Sequence, residues 1–442
     1  MSQTDLAALT PGLDGTTATD RPALMRKVAL RLLPLLVVGY IVNYLDRVNV
    51  SFAALTMNHD LGLTASAYGL GAGMFFIAYL LGEVPSNLIM QRVGARRWIA
   101  RIMISWGIVS GLTATISGET SFYVLRFLLG IAEAGFFPGI ILYLTWWFPA
   151  AYRARIIGMF MAAAPFAVVI GAPISGFVLG LDGLAGLRGW QWLFLLEAVP
   201  SVLLGFFMLV YLIDRPEQAR WLDPAERDWL ADRLAQERAE REKHVQWGVF
   251  EALLHPRMLI LTVAYIGAAM TNYGLSLWTP QIVKAFGGLS NVEVGFISAL
   301  PYLCATVGMI LWNLHSDRTQ ERTWHVAGAA LLTAVGFAGC TLLHAPVLVV
   351  ASLCVAAIGS FSLVSCFWTL PAAFLSGTAA AAGFAVINAV GSGVGGFAGP
   401  YIIGVLRDRT GSFQLALLPI AIAPVVTAVI VVAMGRQATT RQ

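Results

Sequence analysis

Long apolar runs, separated by short charged segments, are the feature that most constrains this chain. A run of about 20 mostly apolar residues is long enough to cross the hydrocarbon core of a bilayer as a helix. Only 12% of the residues are charged, whereas soluble proteins have about 25%. The chain is therefore predicted to be a polytopic membrane protein rather than a set of soluble domains.

Twelve such runs follow one another along the 442 residues. In hydrocarbon their backbone groups must be satisfied within each segment, and they lack the alternating pattern of a barrel, so all are predicted to be α-helices. The predicted fold class is all-α, with spans near 30–57, 66–91, 97–118, 120–148, 153–180, 189–213, 257–286, 292–315, 323–343, 346–375, 379–406 and 412–435.

The basic residues outside these runs fall mainly on one side of the predicted membrane. Because cytoplasmic loops carry the excess of positive charge, both termini and the central linker are predicted to be cytoplasmic. The polar segment 1–22 lacks the apolar core of a cleavable signal peptide, so the first helix is expected to act as its own insertion signal. The basic side has Arg21, Arg26, Lys27, Arg31, Arg92, Arg96, Arg97, Arg101, Arg153, Arg155, Arg318, Arg322, Arg436 and Arg441, against Arg188, Lys284, Arg407 and Arg409 on the other.

The predicted organisation has five parts. They are an N-terminal tail (1–27), a six-helix bundle (28–213), a charged linker (214–256), a second six-helix bundle (257–435) and a C-terminal tail (436–442). Within the linker, Asp223 as N-cap and Pro224 at the first helical position predict a helix. This helix is interpreted as a solvated connection between the halves, with a docking surface for a partner as the alternative.

The two halves repeat each other at an offset of 226 residues. The run from Gly82 to Trp98 recurs as Gly308 to Trp324, with glycine, asparagine, arginine and tryptophan at matching places. Parallel repeats joined by a soluble linker are typical of six-plus-six transporters. At the same offset Asp46 falls on Asn272, so a charge in the first half has a neutral counterpart in the second.

Few charged residues lie inside the predicted spans. A charge at the centre of a bilayer helix costs about 2.5–3.5 kcal/mol, and such residues usually mark the path of a solute or proton. Asp46 and Arg47 are adjacent in the first span, where successive residues diverge by about 100° and so face different neighbours. Arg126 and Glu133 share a face of the fourth span but lie about 10 Å apart along its axis, too far for an ion pair unless the side chains bend towards each other.

We interpret these four residues as a transport site. Arg47 and Arg126 are expected to bind an anion, because a guanidinium group suits a carboxylate. Asp46 and Glu133 are expected to accept protons as the hydration of the cavity changes. The alternative is that the two arginines form fixed bridges that only neutralise the two carboxylates.

Other polar and aromatic residues of the spans are secondary candidates. Tyr44, Tyr79, Trp368 and Asn388 are candidates for the wall of the cavity or, equally, for helix packing. Near span ends, Glu83 is expected to face the basic loop after the second span, and Glu197 to hold helix ends together.

The sequence does not support several other chemistries. Gly391 to Gly396 has the spacing of a dinucleotide fingerprint but follows no strand. Like Gly69 and Gly73, these small residues are expected to allow close helix packing or the bending of a helix. The six histidines show no ligand pair at i and i+4, so no metal or other cofactor is predicted, and no basic, aromatic-rich patch indicates a nucleic-acid partner. The cysteines are expected to be reduced core residues: Cys304, Cys340, Cys354 and Cys366.

Several short runs, taken in this order, resemble the major facilitator superfamily and, within it, the anion:cation symporter family. They are Tyr44-Leu45-Asp46-Arg47-Val48-Asn49, Glu83-Val84-Pro85-Ser86-Asn87, Arg92 to Trp98, Arg126 to Gly135, Trp147-Phe148-Pro149, Asp214-Arg215-Pro216, Phe367-Trp368 and Gly399-Pro400. The resemblance covers about Arg26 to Gly435. It implies two halves that rock around a central site, substrate contacts at Arg47 and Arg126, and proton coupling at Asp46 and Glu133.

In detail, the sequence resembles bacterial permeases for tartrate, other hydroxy acids and aromatic acids such as hydroxyphenylacetate. Two departures bear on this. Gln91 stands where the superfamily usually has an aspartate, and Ala162-Ala163-Ala164 stands where relatives that bind sugar acids would offer a polar amide. The second departure favours a smaller or more apolar acid over a polyhydroxylated one.

The sequence thus predicts a monomeric, proton-coupled importer of a small organic anion in a bacterial inner membrane, and not an enzyme. Its partners are the anion, protons and the lipid bilayer. Two alternatives are an exporter or antiporter of the same fold and a non-transporting sensor that signals through the linker.

Overall fold

The computed structural model describes residues 21–243, 255–372 and 377–439. These residues form sixteen α-helices, which we number in chain order: α1 Pro22–Asp60, α2 Ala65–Val93, α3 Ala95–Leu112, α4 Glu119–Glu133, α5 Phe136–Thr145, α6 Ala150–Met161, α7 Ala163–Leu179, α8 Gly189–Tyr211, α9 Pro224–Lys243, α10 Pro256–Lys284, α11 Asn291–Thr319, α12 Thr323–Leu342, α13 Pro346–Phe367, α14 Thr369–Ala372, α15 Gly377–Thr410 and α16 Phe413–Thr439. The all-α prediction is confirmed. Residues 1–20 of the predicted N-terminal tail, residues 440–442 of the C-terminal tail, including Arg441, and linker residues 244–254 lie outside the described ranges.

Eleven helical segments of the described residues are long and apolar enough to cross a membrane. The predicted third span is helical as α3, but it is not among these eleven. It is only 18 residues long, and three of them are arginines: Arg96, Arg97 and Arg101.

Three predicted spans are each broken into two helices. The fourth becomes α4 and α5, with Gly135 between them in the left-handed region at φ 88°. A Cβ at Gly135 would lie 2.2 Å from the Ser86 hydroxyl, so the break also packs closely against α2. Pro138 has no N–H to continue the α4 hydrogen-bond pattern across this break. The break makes Glu133 the last residue of α4. The fifth span divides at Ala162 and the tenth at Trp368.

The two halves meet along α2 and α15 and along α7 and α11. Small residues allow this approach, as the sequence predicted. A Cβ on Gly69 would lie 2.5 Å from the carbonyl oxygen of Pro400, and one on Gly73 would lie 2.9 Å from the ring of Phe397. The carboxylate of Asp408 accepts the backbone N–H groups of Ala65 and Ser66, at 3.0 and 2.7 Å. Because a helix N-terminus attracts an anion, this contact ties the end of α15 to the start of α2.

The linker helix α9 begins at Pro224, as predicted, and packs on the first half. Lys27 donates to Glu226 at 2.6 Å, and this contact lowers the pKa of the Glu226 carboxyl. The ring of Trp221 stacks on Trp147 at a centroid distance of 5.8 Å. The helix therefore packs on the first bundle and also contacts α15 of the second, rather than only being solvated between the two.

Candidate functional site

A central cavity lies between the halves, and both halves contribute to its wall. Of its eighteen lining residues, half are aromatic, and Arg47 is the one charged residue. They are Tyr40, Tyr44, Arg47, Phe76, Tyr79, Phe137, Met161, Ala164, Tyr265, Asn272, Tyr273, Met309, Phe361, Val364, Ser365, Trp368, Asn388 and Ser392. The cavity thus offers one cation, a few amides and hydroxyls, and broad apolar surfaces.

Arg47 connects the cavity to both halves. Its guanidinium forms a buried ion pair with Glu133, in which Nε lies 3.1 Å from Oε1 and Nη2 also contacts this oxygen. Nη1 donates to the hydroxyl of Tyr273 on α10, at 3.2 Å. The guanidinium carbon also lies 5.3 Å from the ring centroid of Tyr79. One arginine therefore links a carboxylate of α4, the cavity wall and the opposite half.

Glu133 and Arg126 lie on the same helix but are not paired. Glu133 is fully buried, and its Oε2 has no hydrogen-bond partner among the described residues. Arg126 is 1% exposed, and none of its three guanidinium nitrogens has a hydrogen-bond partner in the described part of the chain. Its guanidinium carbon lies 4.9 Å from the ring centroid of Phe75. The structure thus contains one bridge of the kind the alternative expected, between Arg47 and Glu133, together with a second cation that no described acid neutralises.

Asp46 lies on a different side of α1, as the helical geometry predicted. Its carboxylate accepts hydrogen bonds from Trp106 Nε1 at 2.6 Å, Ser201 at 2.6 Å, Ser110 at 2.9 Å and Asn49 at 3.2 Å. These donors come from α1, α3 and α8, and Asp46 does not line the cavity. A bridge between Asp46 and an arginine, which the alternative interpretation required, is absent from the described residues, because four neutral donors occupy its place.

The expectation for Glu83 was wrong. Its side chain is 1% exposed and accepts a hydrogen bond from Asn388 of the opposite half at 3.0 Å, instead of facing the basic loop. The first arginine of that loop, Arg92, is nine residues further along the same helix, which is about 13 Å along the axis. Glu197 accepts from Ser175 at 3.0 Å and so joins α8 to α7.

The structure brings most of the predicted site residues together. Tyr44, Arg47, Tyr79, Trp368 and Asn388 line the cavity, and Glu133 pairs with Arg47. Arg126 and Asp46 lie behind the wall. Sequence reasoning missed Tyr273, although the repeat contains the signal, since Tyr273 lies 226 residues after Arg47 and is its counterpart in the second half.

Residues 36–400 match the family described as the Major Facilitator Superfamily. The chain belongs to this superfamily. A protein of Agrobacterium vitis named "Putative tartrate transporter" is 51% identical over 414 residues, which cover 94% of this chain and 95% of the relative. A "Quinolone resistance transporter" of Acinetobacter baumannii is 43% identical over 393 residues, which cover 89% and 90%.

The solved structures support the same fold. The crystal structure of a bacterial homologue of the human lysosomal transporter Spinster, in an inward-facing and occupied conformation, gives a TM-score of 0.73 at 16% identity and covers 94% of this chain and 98% of that one. The protein is therefore a membrane transporter of the Major Facilitator Superfamily, built from two six-helix pseudo-repeats, and not an enzyme.

Proposed function

We propose that the protein imports a small organic anion together with protons, by alternating access of the central cavity. The observation that carries this proposal is the buried ion pair between Arg47 and Glu133 at the cavity wall. Ionisable groups inside a membrane mark substrate and proton pathways, and a guanidinium group suits a carboxylate substrate.

Arg47 is the first contact for the substrate carboxylate. Its fork suits bidentate binding of a carboxylate, and it already holds Tyr273 of the opposite half at 3.2 Å. A substrate on Arg47 would therefore touch a residue whose position depends on how the two halves are arranged. Arg126, which has no hydrogen-bond partner among the described residues, supplies the second cation.

Glu133 couples the proton to the substrate. When Glu133 takes up a proton from the outside, its carboxylate loses its charge and releases Arg47, which then binds the substrate carboxylate. After the halves rock, the substrate leaves to the cytoplasm, Glu133 gives up its proton there, and the ion pair with Arg47 forms again. Glu133 and the substrate carboxylate thus alternate as the partner of Arg47, and each such exchange moves one proton across the membrane.

Asp46 is proposed as a second proton acceptor. It is fully buried and adjacent in sequence to Arg47. Since it does not line the cavity, its proton would pass along the polar side chains of α3 and α8 that surround it. Protonation would change the hydrogen bonds between α1 and these helices, and so would affect how the first half moves as a body.

The substrate class follows from the cavity and the relatives. The name of the Agrobacterium relative supports tartrate or another hydroxy-dicarboxylate. The aromatic wall supports an acid with a flat or apolar body, and Ala164 gives this part of the wall no amide for the hydroxyls of a sugar acid. We place the protein as a monomer in the bacterial inner membrane, with both termini cytoplasmic and with bundles 28–213 and 257–435 on either side of the linker.

An exporter of the same fold is the second candidate, favoured by the 43% sequence identity to a quinolone resistance transporter. The cation at the cavity wall is compatible with anion export as well as import.

Thermal unfolding of the purified protein with tartrate, galactonate, phthalate, hydroxyphenylacetate and nicotinate, at acidic and neutral pH, tests the anion site. A ligand that binds only the folded state raises the melting temperature, so one acid should do so, more strongly at acidic pH. The absence of a shift with every acid would favour export of another kind of compound.

A further inference from the structure

Arg126 is in an unusual position for a charged side chain. It is 1% exposed, and its Nε, Nη1 and Nη2 lack hydrogen-bond partners throughout the described residues. A buried charge without a partner is destabilising by several kcal/mol. Such a group needs a reason to be retained, and the proposed function supplies one if the substrate is its partner in another conformation.

The Arg126 guanidinium carbon lies 4.9 Å from the ring centroid of Phe75. The Arg47 guanidinium lies 5.4 Å from the same centroid. Phe75 also packs against Phe76 and Tyr79, at centroid distances of 5.1 and 6.0 Å. Arg47, Phe76 and Tyr79 line the cavity, whereas Phe75 and Arg126 do not. Phe75 therefore contacts both Arg126 and side chains of the cavity wall.

The backbone of Phe75 is tightly held, whereas its ring is held by packing and by cation–π contacts with Arg47 and Arg126. A Cβ on Gly130 of α4 would lie 2.2 Å from the Phe75 carbonyl oxygen, so the two helix backbones are already in close contact. A change at this point is easier by rotation of the side chain than by separation of α2 from α4. The ring is fully buried, so it must find space in the cavity when it turns.

We propose that Phe75 is a gate that decides when Arg126 reaches the substrate. In the conformation described here the ring covers Arg126, and the cavity presents Arg47 alone. When the ring turns into the cavity, the Arg126 guanidinium is exposed to a second acceptor on the substrate. This inference rests on the proposed function for its substrate, but the geometry of the gate does not depend on which acid is carried.

The gate gives the protein different affinities for the substrate anion when the Phe75 ring covers Arg126 and when it has turned away. A ligand shifts a conformational equilibrium only through contacts that differ between the states. An anion held by both arginines binds more tightly than one held by Arg47 alone, so closure of Phe75 over Arg126 weakens binding and favours release. Phe75 is thus a positioning residue that acts through Arg126.

Accessibility of position 126 tests the gate without knowledge of the substrate. In a variant whose four cysteines are replaced by serine, and whose melting temperature matches the wild type, Arg126→Cys is treated with a sulfonate-bearing methanethiosulfonate reagent. Since a minor conformation is typically populated at about 0.1–10%, Phe75→Ala should raise the labelling rate about tenfold or more. Phe75→Leu, which removes less bulk, should raise it less.

Two controls separate the gate from a general loosening of the fold. Phe122→Ala removes a ring of equal size one turn from Arg126, where Phe122 packs on Tyr68 at a centroid distance of 6.5 Å, and it should leave the rate at 126 unchanged. Tyr79→Cys, at the cavity wall, should be labelled rapidly both with Phe75 and in combination with Phe75→Ala. Rapid labelling at 126 with Phe75 intact, or equal acceleration by Phe122→Ala, would overturn the gate. If no acid binds or is transported in any assay, the proposed function is contradicted. The labelling rates at position 126 would still test the gate.

Discussion

Arg47 and Tyr273 occupy the same position in the two halves, and they touch. A residue near a two-fold pseudo-symmetry axis lies close to its counterpart in the other half. This explains the 3.2 Å contact between two residues that are 226 positions apart in the sequence. The same offset relates the buried Asp46 to Asn272, which lines the cavity and donates to Ser360 at 3.3 Å. The repeat therefore places a charged pair in one half and a neutral, hydrogen-bonding pair in the other.

Glu133→Gln should separate binding from coupling. The amide still accepts a hydrogen bond from Arg47 but cannot gain or lose a proton, so the variant should bind and exchange the anion while losing accumulation driven by a pH gradient. Uptake and exchange in proteoliposomes measure the two activities. Glu197→Gln, a half-buried carboxyl on α8 outside the cavity, is the matched control and should accumulate normally. Accumulation by Glu133→Gln at the wild-type level would remove Glu133 from the coupling step.

Arg126→Ala should abolish anion binding, because the substrate then loses one of its two cations. Arg126→Lys keeps the charge without the planar fork and should bind only weakly. Thermal shift with the anion panel measures both. Arg101→Ala is the control, since Arg101 stacks on Trp98 at 4.6 Å, away from the cavity. Unchanged affinity in Arg126→Ala would show that Arg126 is a structural residue.

Ser201→Ala tests the network around Asp46. Loss of one hydrogen bond to a buried carboxylate should lower the stability of the fold by about 1.5–3 kcal/mol, visible as a lower melting temperature. Ser362→Ala is the control, because the Ser362 hydroxyl is buried without a hydrogen-bond partner among the described residues. Equal melting temperatures for the two variants would mean that the Asp46 contacts contribute little to stability.

Single residues show where sequence reasoning succeeded and failed. The divergence of Asp46 and Arg47 followed from helix geometry alone. The pairing of Glu133 with Arg47 did not, because it depends on how α1 and α4 pack and on the break at Gly135. Glu83 was misplaced because nearness in sequence to basic residues was taken for nearness in space. Phe75 gave no signal, since it is one apolar residue within an apolar run.

At the scale of helices, the positions of most elements could be predicted and their interruptions could not. Apolar length alone identifies a span, and the predicted spans all coincide with helices. The breaks in the fourth, fifth and tenth spans lie within apolar sequence, where the local signal is a proline three residues after each break: Pro138, Pro165 and Pro371. The close contact of α2 and α15 was predictable from glycines, because small residues are what such contacts require.

Gly69→Ala should weaken this contact between the halves. The added Cβ would lie 2.5 Å from the Pro400 carbonyl oxygen, so α2 and α15 must separate at this end. Spin labels at the exposed His59 and Arg409 should then report longer distances. Gly158→Ala, where a Cβ meets nothing within 4 Å, should leave the distances unchanged. An unchanged distance in Gly69→Ala would show that the contact tolerates a methyl group by local adjustment.

At the scale of the whole molecule, the two halves are joined at one end and enclose a cavity, and Arg47 is the one charged side chain among the described residues that line it. The ends of α2 and α15 are tied by Asp408, and a further contact between the halves, from Asn388 to Glu83, borders the cavity. In the proposed orientation, with both termini cytoplasmic, the Asp408 end is periplasmic and this conformation is inward-facing. The linker helix contacts both halves, the first through Glu226 and Lys27 and the second through α15.

The direct test of the central claim is the pH inside proteoliposomes when the anion is added outside. The probe is whichever acid of the five-member panel stabilises the protein most, with a pH-sensitive dye in the lumen and no initial gradient. Symport predicts acidification of the lumen along with uptake, lost in Glu133→Gln. Uptake with alkalinisation, or with no change of pH, would contradict proton-coupled import.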